Sequence, residues 1–108
     1  MARNDLQGSL DLLVLKTLSQ MGEVHGYGIA LHIQRASDDL LSVEEGSLYP
    51  ALHRMEMNGW IRAEWKLTET NRKAKYYRLT AAGQKELQNA ERSFEQLVKG
   101  IRAMLRYA

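Results

Sequence analysis
Apolar positions recur along the chain in three rhythms. From Asp5 to about Met21, Leu6, Leu10, Leu13, Val14 and Leu18 return at the spacing of a helix. Leu12 and Leu15 lie on other sides, so this helix is expected to be buried on more than one face. Gly22 makes a fitting stop. A second helix is expected from about Gly26 to Ala36, with Tyr27, Ile29, Ala30 and Ile33 as core positions. Ser37-Asp38-Asp39 is polar turn material. Leu40, Leu41 and Val43 then form a short extended approach to a third helix. That helix lies within EEGSLYPALHRMEMNGW, residues 44–60, and closes on Asn58 and Gly59.

The rhythm changes at IRAEWKL, residues 61–67, where Ile61, Ala63, Trp65 and Leu67 alternate with Arg62, Glu64 and Lys66. This predicts a half-buried strand. TETNRKA reads as a polar turn and KYYRLT, residues 75–80, as the return strand of an antiparallel hairpin, with Tyr77 and Leu79 on one face. From Ala81 the rhythm changes again. Leu87, Ala90, Phe94, Leu97, Ile101, Met104 and Ala108 mark a heptad-like seam on a long last helix, which Gly83 and Gly100 weaken modestly. The expected fold class is α+β, mostly α.

At about 100° per residue, Leu48, Ala51, Leu52 and Met55 share one arc of the third helix, the core face. Tyr49, Pro50, His53 and Met57 centre on the other side, flanked by Ser47 and Arg54. Hydroxyl, phenol, imidazole and guanidinium groups beside a compact proline can read a DNA major groove. Pro50 is tolerated near a helix start, and Gly46 allows close backbone approach. Glu44 and Glu45 suit the helix dipole but repel phosphate. An ordinary surface helix with a proline-marked start is the plainer reading of the same residues.

Charge shifts the balance. The net charge is only +2 over 108 residues. Residues 1–45, however, carry three basic and seven acidic side chains, whereas residues 62–80 carry six basic and two acidic ones. A local basic excess in a near-neutral chain suggests an anionic partner for the hairpin, and a solvated hairpin of chance composition is the plainer reading of it. Arg72, Lys73 and Lys75 sit near its tip, and Lys66 lies on the opposing strand. Three helices followed by a basic hairpin is the order of a winged helix-turn-helix, whose third helix enters the major groove while the wing touches flanking backbone.

Three segments, HGYGIALHI (25–33), EEGSLYPALHRMEMNGWI (44–61) and RKAKYYRLTAAGQKEL (72–87), resemble the PadR family of bacterial transcriptional regulators. The resemblance covers nearly the whole chain. It implies a winged helix-turn-helix of three helices and a two-stranded wing over residues 1–80, and a C-terminal dimerisation helix over 81–108 packed on the N-terminal helix. It implies a homodimeric repressor of operator DNA, with recognition contacts from the Gly46-Ser47-Leu48-Tyr49-Pro50 segment and wing contacts from the basic hairpin. Together with the helix face and the charge pattern, Ser47, Tyr49, Pro50, His53 and Arg54 are expected at the groove and Lys66, Arg72, Lys73 and Lys75 on phosphates. The expected dimer contacts are Leu10, Leu13, Leu87, Phe94, Leu97, Ile101 and Met104. A single helix after the wing matches the short subgroup. The resemblance also leaves room for a small aromatic or phenolic effector, for which Phe94 and the N-terminal helix are better placed than Trp60 and Trp65, both expected to pack at the wing base.

Other chemistry finds little support. There is no cysteine. His25, His32 and His53 lack a completing ligand set, so neither a metal nor another cofactor is expected. No nucleophile elbow or phosphate loop is present, so the chain does not read as an enzyme. No apolar run approaches a membrane span, and the start MARND lacks a signal-peptide core, which points to the cytoplasm. The alternatives are a winged-helix module for protein contact and a metal or ligand sensor.

Overall fold
The computed structural model describes the backbone of residues 2–107 and the side chains of residues 9–107. The side chain of Leu6 and residue Ala108 therefore lie outside the described residues. The elements follow the order α1 (Ala2–Met21), β1 (Glu23–His25), α2 (Gly26–Ala36), α3 (Glu45–Met57), β2 (Ile61–Leu67), β3 (Lys73–Leu79) and α4 (Ala81–Arg106). This is the mostly helical winged-helix architecture that the pattern predicts. The sheet has three strands rather than two, in the order β1-β3-β2. β1 pairs antiparallel with β3, Val24 opposite Tyr77, and β2 pairs with β3 from Ile61↔Leu79 to Leu67↔Lys73. A three-residue strand has no readable alternation of its own; its partner makes it.

Every element contributes to one core. Val14, Leu15 and Leu18 of α1 meet Val24, Ile29, Ile33, Leu48, Leu52, Met55, Ile61, Tyr77 and Leu87. Burying each large aliphatic side chain contributes roughly 1.5–3 kcal/mol. Thr17, the buried polar side chain among them, is satisfied by donating to the Leu13 carbonyl at 2.8 Å. Both expected glycine stops adopt left-handed backbone, Gly22 at φ 86° and Gly59 at φ 77°. α4 packs along α1, and Lys16 pairs with Glu91 across them at 3.4 Å.

Four expectations need correction. Tyr27 is not a core residue: it is 66% exposed at the start of α2. Trp65 does not pack at the wing base: it is 65% exposed, and Leu67 beside it is exposed too. The helical body lies under the first residues of β2 only, and the rest overhangs. Leu87 is not available to a partner copy, since it is 2% exposed within the chain's own core. Gly83 does not merely weaken α4. A Cβ there would lie 1.9 Å from the Trp60 carbonyl oxygen, so the first turn of α4 presses on the end of the α3–β2 joint. Thr80 holds that contact. Its hydroxyl accepts from Gly83 N–H at 3.0 Å and lies 2.7 Å from the Gly59 carbonyl.

Candidate nucleic-acid interface
α3 turns its two faces as its pattern demands. Leu48, Ala51, Leu52 and Met55 are buried, while Ser47, Tyr49, Pro50 and His53 are exposed. The helix starts without a side-chain cap, because the carboxylate of Glu44 makes no cap hydrogen bond. Gly46 stands in open space: a Cβ there would meet nothing within 4 Å. The close approach expected of it is therefore to nothing within this chain.

The start of α2 is built around α3. His25 caps α2, its Nδ1 accepting from Gly28 N–H at 2.9 Å. A Cβ on Gly28 would strike Val24 at 2.6 Å, and one on Gly26 would lie 2.8 Å from the Tyr49 ring. The HGYG stretch is thus a joint on which β1, α2 and α3 meet, and Tyr49 lies against it. Sequence reasoning placed Tyr49 on an outward face but missed the glycine bed beneath its ring.

The wing rises beside this joint. Its tip is a tight turn in which Thr68 N–H donates to Arg72 O at 2.7 Å and Asn71 N–H donates to Thr68 O at 2.9 Å. Asn71 takes left-handed backbone at φ 65°, which asparagine tolerates better than most residues. Between the wing and the starts of α2 and α3 lies an open groove of about 820 Å³, lined by Tyr27, Tyr49, Trp65 and Tyr76 among the rings and Arg72, Lys73 and Lys75 among the cations. Tyr77 forms its floor; burial pushes that phenol's pKa up. Four of the chain's five tyrosines line this one groove. Trp65 is a candidate contact that alternation misassigned to the core.

The expected cations divide into two sets. Arg72 and Lys73 have no ion-pair partner among the described residues and are exposed. Lys75 pairs with Glu56 at 3.1 Å, and Lys66 pairs with Glu23. The hydrogen bond to Glu23 holds the Lys66 ammonium above its ordinary pKa. Arg54 departs furthest from expectation. It does not stand ready for a base edge, because both of its terminal nitrogens bond Asp11, and that bond raises its pKa. No local pattern announces these pairs. Asp11 left one trace, as the lone acid inside an apolar run.

The histidines have ordinary occupations. His25 caps α2, and His32 Nε2 lies 3.2 Å from Gln20 Oε1. Among the described residues no cluster of three or more His, Cys, Asp or Glu side chains could hold a metal ion, and no helix is long and apolar enough to cross a membrane.

The chain matches the model of the transcriptional regulator PadR-like family over residues 14–89. It is 33% identical, over 79 residues, to the transcriptional regulator Rv3488 of Mycobacterium tuberculosis, covering 73% of this chain and 70% of that one. Among solved structures, a transcriptional regulator from Clostridium thermocellum superposes with a TM-score of 0.85 at 30% identity, over 95% of this chain and 99% of its own. Bacillus subtilis PadR, solved in complex with operator DNA, superposes with a TM-score of 0.67 at 27% identity, over 75% of this chain and 45% of its own.

Proposed function
Because the chain belongs to the transcriptional regulator PadR-like family, we propose that it is a homodimeric repressor that binds duplex operator DNA. The observation that carries this is the groove with Tyr49 of the exposed α3 face on one wall and Arg72 and Lys73, unpaired among the described residues, on the other. Ser47, Tyr49, Pro50 and His53 enter the major groove. Arg72 and Lys73 meet the flanking phosphates, with Trp65 against the sugar–phosphate strand that the groove cradles. Lys66 and Lys75 serve phosphate only by exchanging their carboxylate partners for it, so they contribute less.

The dimer forms through the distal half of α4. Phe94, Leu97, Ile101 and Met104 are all exposed there, and an apolar stripe at heptad spacing is the kind of face that pairs with a second helix. Leu10 and Leu13 on α1, half-buried against the core, border the same interface. The space beside Phe94 is where a small aromatic or phenolic effector would bind. Such a protein works in the cytoplasm, on the chromosome. Two recognition helices related by a two-fold axis meet half-sites about one helical turn, some 34 Å, apart.

Selection of bound duplexes from a random library tests this directly. The expected result is a pseudo-palindromic site whose affinity falls steeply as salt rises, because phosphate neutralisation releases counterions. Enrichment of no sequence, together with salt-independent binding, would sink the proposal.

A further inference from the structure
Arg54 lies in the last turns of α3, and its guanidinium faces α1. Nη1 and Nη2 donate to Oδ2 and Oδ1 of Asp11 at 2.7 and 2.8 Å. The side chains are 35% and 14% exposed. The rest of the α1–α3 contact is built around core residues, Leu48, Leu52 and Met55 with Val14, Leu15 and Leu18. Apolar burial is non-directional. It holds two helices together, and the interlocking of side chains sets their crossing only to within about 15–20°. A two-bond guanidinium–carboxylate fork fixes both distance and angle. α1 is also the helix along which α4 packs, so the fork ties the groove-facing helix to the pair of helices that carries the exposed stripe.

We propose that Arg54 and Asp11 are a positioning pair: they set the pitch of α3 against α1 and α4, and through it the separation of the two recognition helices in the dimer. This rests on the reading of α3 as the groove helix and α4 as the dimer helix. Arg54 then acts on DNA through Asp11 and reads no base. Releasing the arginine from its carboxylate separates the two roles. A base-reading Arg54 freed by Asp11→Asn would bind as well or better. A positioning Arg54 freed in the same way loses the fixed pitch.

The experiment uses the full chain and duplexes carrying the selected half-site at separations lengthened or shortened by single base pairs, read by fluorescence anisotropy. The wild type should prefer one separation. Asp11→Asn and Arg54→Lys should each flatten that preference by about fivefold or more, in the range of ordinary coupling between sites, while the base preferred at each half-site position stays the same. Lysine keeps the charge but cannot form the fork. The exchanged pair, Asp11→Arg with Arg54→Asp, should recover part of the preference. Arg54→Lys keeps the cation and stem and carries the test if Asp11→Asn melts early. The proposal is overturned if both single variants keep the wild-type separation preference. It is overturned equally if Arg54→Gln changes the preferred base at one half-site position. A wild type that selects no duplex at all removes the reading of α3 itself, and this outcome is seen before any variant is made.

Discussion

Two glycines separate packing from approach. A Cβ at Gly26 would lie 2.8 Å from the Tyr49 ring, whereas one at Gly46 would meet nothing within 4 Å. Gly26→Ala should therefore lift Tyr49 off its bed and lower stability by about 1–3 kcal/mol, read as a lower thermal midpoint. Gly46→Ala, in the first turn of α3, should raise stability by up to about 0.5–1 kcal/mol, the full gain belonging to a helix interior. Its methyl group would also stand between α3 and a groove. Melting and anisotropy on one sample should then move in opposite directions, with a higher midpoint and weaker DNA binding. A variant that binds as well as the wild type would show that nothing approaches Gly46. Tyr77 supplies a pH test. Burial raises its pKa above the ordinary 10.0, so its stabilising contribution is whole below that value and is lost as pH climbs through the raised one. Tyr77→Phe should shift alkaline unfolding to higher pH, measured by circular dichroism; an unchanged profile would remove Tyr77 from the account.

At the scale of elements, the proposed interface divides the work between the wing and α3. Arg72→Ala and Lys73→Ala should weaken binding to all duplexes alike, each reducing the slope of log affinity against log salt by about 1. Tyr49→Ala should instead blunt discrimination between sequences. Periodicity alone makes these elements legible. α2 spans the expected residues, and the core face of α3 is the expected four. What is not legible is long in sequence and short in space. β1 exists because Tyr76–Arg78 of β3 are there to pair with it. Asp11 and Arg54, 43 residues apart, meet only once α1 and α3 have packed. The overhang of Trp65 fails for a related reason. Alternation predicts that one face of a strand is apolar, but not how far along the strand the body beneath it reaches.

The whole molecule measures 59 × 29 × 22 Å, with the wing and the distal half of α4 reaching out past the common core. α4, at 26 residues, runs about 39 Å. Its first turns belong to the chain's own core through Leu87 and Gly83, which leaves only Phe94 onward to a second copy. Ile101→Asp places a charge in the middle of that stripe. It should give a folded monomer by analytical ultracentrifugation, with operator affinity reduced about a hundredfold as two half-sites cease to be bound together. A dimer that persists in this variant would mean that α4 is not the interface.

β3 is the central strand, yet β1 covers it only from Tyr76 to Arg78. Beyond that, from Lys73 to Lys75, its far edge is bare backbone, the kind of template on which chains stack into aggregates. The two lysines at this edge are an established deterrent to such stacking. The positive charge of the wing is thus expected to do a second thing when no anion is bound: discourage one copy from pairing wing to wing with another.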